Sequence, residues 1–314
     1  MSQKPLISII IPVYNAENYI EECLNSLTSQ TYKNIEILCT DDCSTDNSVL
    51  IIEELIKKDS RIKLFKHKTN SGPATARNTG LDRASGEYIM FCDNDDSYMP
   101  DMCEKMLNAV LEFDADLVTC RANIENAYLD KPLAGYVNNQ PIGKYHLCAK
   151  MKSRINVLLW NKIYKKSLID KYEIRFPDGL SGEDDAFCYI YGAVAEKYYG
   201  LDNKLYNYVL RKSSYTYTIG RGKACDKRFD KIKIIEYIYE FLKKHNLLKK
   251  CKLQFIDIVN TEIIYLYEWN KSLIDRMEIN RRYNAFIKKT IFSKEVRTTN
   301  LLVILKRILK SYWF

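Results

Sequence analysis

The chain has 314 residues, 46% of them hydrophobic, so it can build a sizeable core and is not of disordered composition. Its net charge of +8 arises from the last 90 residues: residues 225–314 hold 20 Lys or Arg and 10 Asp or Glu, whereas the remainder holds 28 and 30. The first residues lack a charged and then apolar leader, and no apolar run reaches about 18 residues, so neither a secretory signal nor a membrane-spanning helix is predicted.

The first 120 residues alternate short apolar runs with amphipathic segments. This alternation predicts parallel strands joined by right-handed helical crossovers, with ligands bound beyond the carboxyl ends of the strands. The predicted strands are Ile7–Val13, Ile35–Thr40, Ile62–Phe65, Glu87–Cys92 and Asp116–Arg121. The predicted helices are Glu17–Ser29, a segment capped by Asp46 or Ser48, Pro73–Ala84 and Pro100–Phe113.

The pattern weakens after residue 121. Residues 122–151 predict an irregular connection, residues 160–170 a short strand followed by a helix, and residues 181–197 a further helix. Residues 227–310 are basic and strongly helix-forming. The ten cysteines form no CxxC pairs, and several lie in apolar runs, so they are predicted to be reduced core residues.

Three carboxylates stand within four residues at Asp93-Asn94-Asp95-Asp96, directly after a predicted buried strand. Like charges this close repel, and a divalent cation bridging to a phosphate would relieve the repulsion. Asp93 and Asp95 are suited to hold it, since alternate residues of an extended segment face the same side. A solvated turn that caps the next helix is the competing interpretation.

Two more polar clusters follow predicted strands of the same sheet. Asp41 and Asp42 are interpreted either as an ordinary polar turn or as acceptors for a nucleotide base or sugar. Residues 70–78 form a turn containing Gly72 that opens a helix, where free N–H groups favour anions. Arg77 could reach a phosphate, lock the Asp cluster or form a surface ion pair.

Another acidic group, Gly182-Glu183-Asp184-Asp185, opens a predicted helix. The helix dipole explains one or two acids there, and a third raises the prospect of a catalytic base. No GxGxxG or GxxxxGK[ST] motif is present, which argues against a dinucleotide oxidoreductase and a P-loop enzyme. Three histidines make His-based chemistry improbable, so the available chemistry is carboxylates with a metal.

The motifs together resemble family 2 glycosyltransferases of the GT-A fold. The resemblance runs through PLISIIIPVYNAENYIEECLNSLTSQTYKNIEILCTDDCSTDNS, NSGPATARNTGLDRASGEYIMFCDNDD, WNKIYKKSLI and SGEDDAF, within residues 5–215. It implies an α/β fold: a Rossmann-like, mostly parallel sheet with flanking helices, followed by a C-terminal helical region. It also implies three parts: a nucleotide-sugar-binding half (1–121), an acceptor-binding half (122–224) and a basic helical region (225–314).

The resemblance also implies roles for individual residues. Asp95 would be the metal ligand of a DxD motif, with Asp93 nearer the ribose and the metal-bound diphosphate, and Asp184, paired with Glu183, would be the general base. Some relatives place a downstream His on the metal, and here none follows Asp184 until His245. Asp42 would hydrogen-bond the base, with Asp41 beside it. The other implied nucleotide-sugar contacts are Pro12, Tyr14, Glu17, Gly72, Arg77, Asp93 and Asn94, and the implied acceptor contacts are Trp160, Asn161 and Lys162.

The expected function is an inverting transfer of a hexosyl or N-acetylhexosaminyl group from a UDP-sugar. Mn²⁺ or Mg²⁺ would neutralise the leaving diphosphate, and Asp184 would deprotonate the acceptor hydroxyl. The resemblance to bacterial surface-polysaccharide enzymes implies a glycan or a lipid-linked glycan as acceptor and a cytoplasmic location.

The basic end of the chain has two interpretations. Residues 301–314 are expected either to lie on the anionic inner face of the membrane or to pack on their own domain or on a second subunit of a homodimer. Nucleic acid is a weaker candidate partner. Two rival functions stay open, a nucleotidyltransferase and a non-catalytic sugar-nucleotide binding module; the first is expected to carry a Gly-rich basic loop where this chain has PVYNAEN.

Overall fold

A computed structural model describes residues 4–126, 136–147, 155–211, 230–259 and 281–282. The described residues form one sheet of nine strands. Its strand order is β3-β2-β1-β4-β8-β6-β9-β5, and β7 pairs with β9. The strands are β1 (Ile7–Val13), β2 (Ile35–Asp41), β3 (Ile62–Lys66), β4 (Tyr88–Phe91), β5 (Ser97–Tyr98), β6 (Leu117–Glu125), β7 (Gly143–His146), β8 (Lys162–Lys165) and β9 (Lys197–Val209).

Helices cover both faces of this sheet. Along β1 the side chains alternate between the two faces, and Ile9 packs in one core whereas Ile10 packs in the other. The helices are α1 (Ile20–Thr28), α2 (Ser48–Lys58), α3 (Pro73–Arg83), α4 (Met102–Phe113), α5 (Lys166–Lys171), α6 (Glu183–Val194) and α7 (Asp230–Lys244).

The first four strands are parallel, as predicted. Every residue of β1 and of β2 is buried, which explains why most of their residues are apolar. Gly80 allows α3 to lie close to β1, because any side chain at this position would collide with Ile10. The five strands and four helices predicted before residue 121 are all present, with ends shifted by a few residues.

The second half of the sheet departs from the prediction. Strand β8 lies antiparallel between β4 and β6, and β9 runs parallel to β6. The irregular connection predicted for residues 122–151 instead includes the end of β6 and strand β7, because both pair with β9. Neither β9 nor the short β5 was predicted.

The described part of the basic region packs on the main domain. Helix α7 lies against α6, and Ile235 and Phe255 join the same core as Phe187. Residues 301–314 lie outside the described residues. No helix in the described ranges is both long and apolar enough to cross a bilayer. The eight cysteines described are free thiols, as predicted, and six of them are buried.

Candidate functional site

The polar clusters predicted to follow the strands share one rim of the sheet. β1 pairs with β2 up to Val13 and Asp41, so the loops that follow these two strands leave the sheet side by side. The loop after β4 joins them there, since Asn94 Nδ2 donates to the Pro12 carbonyl at 2.9 Å. Residues distant in sequence thus converge where α/β sheets bind ligands.

Asp42 organises the turn that opens α3. Its buried carboxylate accepts the N–H groups of Ser71 at 2.9 Å and Gly72 at 2.6 Å, and it pairs with His67 Nδ1 at 2.8 Å. Gly72 has φ of 89°, a left-handed conformation that favours glycine. These contacts occupy the carboxylate of Asp42 from within the protein. Among the described residues, the carboxylate of Asp41 accepts only the N–H of Ser44, at 3.3 Å.

The loop between β1 and α1 is fastened to the loop after β2. Glu17 Oε2 accepts the N–H of Asn47 at 3.0 Å and its side-chain amide at 2.9 Å, while the Glu17 N–H donates to Asp46 at 2.9 Å. Glu17 is therefore engaged in holding two loops together. Tyr14 instead presents an exposed ring at the rim, a surface on which a planar base can stack.

Arg77 lies at the centre of the site. Its Nη1 donates to Glu183 at 2.9 Å and its Nη2 to Asp93 at 3.1 Å, so one guanidinium joins the acids after β4 to the acids that open α6. The residue is 8% exposed, and its Nε is buried without a partner among the described residues. Burial opposes the charge, yet Asp93 and Glu183 keep the pKa of Arg77 above its usual value.

The three carboxylates of the loop after β4 take different directions. Asp96 is buried and accepts the Tyr206 hydroxyl and the Val209 N–H, each at 2.9 Å. Burial raises the pKa of Asp96 well above its usual value, which favours a structural carboxyl group. The Tyr206 hydroxyl also accepts the Asp93 N–H at 3.2 Å. Asp93 and Asp95 are left at the rim, each side chain about one-third exposed.

Asp95 is held by a residue that the sequence analysis missed. Arg211 Nη1 donates to Asp95 Oδ2 at 2.8 Å, Arg211 Nη2 donates to the Asp95 carbonyl at 2.7 Å, and the guanidinium lies 4.3 Å from the centre of the Tyr19 ring. Burial, followed by the nearby Asp93, raises the pKa of Asp95. Arg211 lies two residues after the end of β9, so its position could be recognised only once β9 was known.

A divalent cation fits these residues only with the help of a substrate. Across the described ranges, no three His, Cys, Asp or Glu side chains form a metal site. Mg²⁺ and Mn²⁺ in phosphate-handling enzymes, however, take one or two carboxylates together with substrate oxygens and water. The partly exposed carboxylates of Asp93 and Asp95 suit that mode of binding.

The three acids that open α6 also have different partners. Gly182 precedes them with φ of 91°, Glu183 pairs with Arg77, and Asp185 pairs with Lys231 of α7. Burial, and then Asp184, raise the pKa of Glu183. Within the described residues Asp184 forms no ion pair and accepts the Asp185 N–H at 3.0 Å. Of the three acids, Asp184 is therefore the one without an ion pair among the described residues.

Trp160, Asn161 and Lys162 lie in the interior, so a part in acceptor binding would be indirect. Trp160 stacks on Tyr206 at 4.2 Å between ring centres, beneath the loop of Asp93. Asn161 Nδ2 donates to the Cys120 carbonyl at 3.0 Å, and Lys162 Nζ donates to Asn161 Oδ1 at 2.7 Å. Burial lowers the pKa of Lys162 to about 8.

Comparison with known proteins places these observations in a family. The model described as Glycosyl transferase family 2 matches residues 8–172. EpsH of Bacillus subtilis (strain 168), named as a glycosyltransferase, is 33% identical over 310 residues, which cover 95% of this chain and 87% of EpsH.

Two further proteins are similar over different lengths. TuaG of the same organism, named for teichuronic acid biosynthesis, is 43% identical over 109 residues, 35% of this chain and 43% of TuaG. The crystal structure of S. aureus TarS 1-349 in complex with UDP-GlcNAc has a TM-score of 0.74 at 22% identity and covers 90% of this chain and 80% of that one. TarS therefore supports the GT-A fold.

Proposed function

Because the chain belongs to glycosyl transferase family 2, we propose that it transfers a sugar from a UDP-sugar to a hydroxyl group with inversion at the anomeric carbon. One observation carries the proposal: the Arg77 guanidinium joins Asp93, at the rim suited to a nucleotide, to Glu183, which adjoins Asp184. A donor-binding carboxylate and a candidate base thus belong to one electrostatic cluster.

The nucleoside half of the donor lies against the ends of β1 and β2. Tyr14 supplies an exposed ring for the base, and Pro12 borders it. Asp41 accepts a donor group of the base or the ribose, while Asp42 shapes the pocket through the turn of Ser71 and Gly72. The choice of UDP is supported by the fold shared with TarS, which was crystallised with UDP-GlcNAc.

The diphosphate lies beside the loop after β4. Asn94 keeps that loop next to β1, and Asp93 and Asp95 would hold Mn²⁺ or Mg²⁺ at its exposed side. The metal, when bound, supplies Lewis-acid stabilisation of the leaving diphosphate. Arg77 neutralises Asp93 from the interior side, so the site carries less uncompensated negative charge as the diphosphate enters.

Asp184 takes the proton of the acceptor hydroxyl. The hydroxyl oxygen forms a bond to the anomeric carbon on the face opposite the diphosphate, the bond to the diphosphate oxygen breaks, and UDP leaves with that electron pair. One displacement inverts the anomeric centre. Glu183 stays paired with Arg77 and thereby fixes the first turn of α6, so that Asp184 faces the acceptor hydroxyl.

The acceptor is a glycan or a lipid-linked glycan of a bacterial surface polysaccharide. The named role of TuaG in teichuronic acid biosynthesis supports this class of acceptor. A hexosyl or N-acetylhexosaminyl group is the transferred sugar. Attachment to the inner face of the membrane and a homodimer both depend on residues outside the described ranges and remain predictions.

Release of free UDP tests the function. A panel of UDP-, GDP- and dTDP-sugars is incubated with the protein and Mn²⁺, with EDTA in a parallel set. We expect EDTA-sensitive release of UDP from one UDP-sugar. Little GDP or dTDP should be released from the GDP- and dTDP-sugars. Binding of UDP without turnover would favour a sugar-nucleotide binding module. In a separate incubation with UTP and a sugar 1-phosphate, formation of pyrophosphate would favour a nucleotidyltransferase.

A further inference from the structure

Four residues of helix α3 contact the first residue of α6 or the segment before it. Two of these contacts are exposed: Thr75 Oγ1 donates to Asp178 at 3.0 Å, and Asp82 pairs with Arg175 at 2.8 Å. The other two come from the adjacent residues Arg77 and Asn78. Since α3 belongs to the half that carries the donor rim, these contacts join that rim to the helix bearing Asp184.

Asn78 makes the most specific of these contacts. Its Oδ1 accepts the N–H of Phe176 at 2.9 Å, and its Nδ2 donates to the carbonyl of the same residue at 2.9 Å. The side-chain amide thereby pairs with both backbone groups of one residue. The two hydrogen bonds fix both the position of Phe176 along α3 and the orientation of its backbone. A single hydrogen bond would leave the orientation free.

Phe176 passes this restraint to both halves of the site. Its buried ring stacks on Phe187 of α6, with 4.3 Å between ring centres, and meets the edge of Phe91 of β4 at 5.5 Å. Phe187 follows Asp184 by three residues on α6, so the two lie on neighbouring positions of one helical face. Phe91 ends the strand that leads into the loop of Asp93.

We propose that Asn78 is a positioning residue for the transfer reaction: through Phe176 it sets the distance between Asp184 and the diphosphate site. The proposal rests on the function proposed above. A misplacement of about 1 Å at a reacting group lowers the rate by about 10²-fold, so an anchor that never touches the substrate can still control turnover.

The test compares Asn78→Ala with Asp82→Ala. Alanine suits a helix interior at both positions. Asp82 is a matched control because it lies one turn further along α3 and contacts the same segment, but through an exposed ion pair. For each variant we measure the kcat and KM of UDP release from the UDP-sugar that the wild type cleaves fastest, the Kd of UDP, and hydrogen exchange over residues 176–187.

For Asn78→Ala we expect kcat to fall by about 10- to 10²-fold, with the KM of the donor and the Kd of UDP within about twofold of wild type. Exchange should rise over residues 176–187 and stay unchanged in β1. Asp82→Ala should behave as the wild type. A variant that merely destabilises the fold would instead lose UDP binding and kcat in parallel, and that outcome overturns the proposal.

The exchange measurement separates this proposal from the function on which it rests. If the wild type releases no UDP from any UDP-sugar, the proposed function fails; raised exchange in Asn78→Ala then still supports the anchor. Unchanged exchange over residues 176–187 overturns the anchor whatever the activity. Asn78→Gln provides a conservative variant, because it keeps both the donor and the acceptor of the side-chain amide and lengthens the side chain by one methylene group. Its kcat is expected between those of Asn78→Ala and the wild type.

Discussion

Replacing Arg77 by methionine removes the charge on which two carboxylates depend. Glu183 is the more sensitive of them, since its side chain is 13% exposed whereas that of Asp93 is 33% exposed and screened by water. Removing one partner of a buried ion pair typically lowers the free energy of unfolding by about 3–5 kcal/mol. Because Asp93 contributes little, we expect a loss of about 3 kcal/mol near neutral pH.

The loss should depend on pH in a defined direction. Burial and Asp184 already raise the pKa of Glu183, so its contribution to stability is lost as the pH rises through that raised value. Without Arg77 the pKa rises further and the loss extends to higher pH. The destabilisation by Arg77→Met should therefore be smaller at about pH 5, where Glu183 can take up a proton, than at about pH 8.

Urea denaturation followed by circular dichroism at both pH values measures this effect. The double variant Arg77→Met, Glu183→Gln provides the control, because it removes the stranded charge and should recover most of the stability at the higher pH. Equal destabilisation at both pH values, or no recovery in the double variant, would refute the ion-pair explanation. UDP release by Arg77→Met is expected to be largely lost even where the variant is folded.

Three other variants test separate parts of the site. Asp184→Asn should lower UDP release by about 10²–10⁴-fold with the UDP affinity retained by calorimetry; near-normal turnover would exclude Asp184 as the base. Arg211→Gln should strengthen Mn²⁺ binding in the absence of nucleotide, measured by electron paramagnetic resonance, because Arg211 no longer competes for Asp95; an unchanged affinity would contradict that competition. Lys231→Met should lower the melting temperature and UDP release together, since Asp185 loses its ion pair with α7, and a normal melting temperature would show that this ion pair does not stabilise α6.

The meeting of the polar clusters at one rim of the sheet could be predicted because its signals are local. Strands β1 and β4 are mostly apolar, and polar clusters follow both of them closely, so the burial of the strands and the position of the clusters could be predicted from the sequence. Strand β9 was different: its middle residues, from Leu201 to Lys204, are mostly exposed and polar, and the aromatic residues on either side do not form one apolar run. Arg211 was missed for the same reason, since it follows a strand that was not predicted.

Other roles depend on partners that sequence spacing does not reveal. Asp42 is occupied by N–H groups about thirty residues further along the chain, which return to it only through β3 and the turn before α3. Lys162 would ordinarily be placed at the surface, yet it is buried because Asn156 and Asn161 accept its hydrogen bonds. Charged residues whose partners come from distant segments are therefore predicted least well.

The stack of Trp160 on Tyr206 gives the protein an internal optical probe. The Tyr206 hydroxyl contacts both Asp93 and Asp96, so any ligand that shifts this loop changes the surroundings of the Trp160 indole. The chain has three tryptophans, and the other two, Trp269 and Trp313, lie in the C-terminal region. With those two changed to phenylalanine, the remaining emission would come from beneath the donor site, and titrations with nucleotide or metal could be followed without a label.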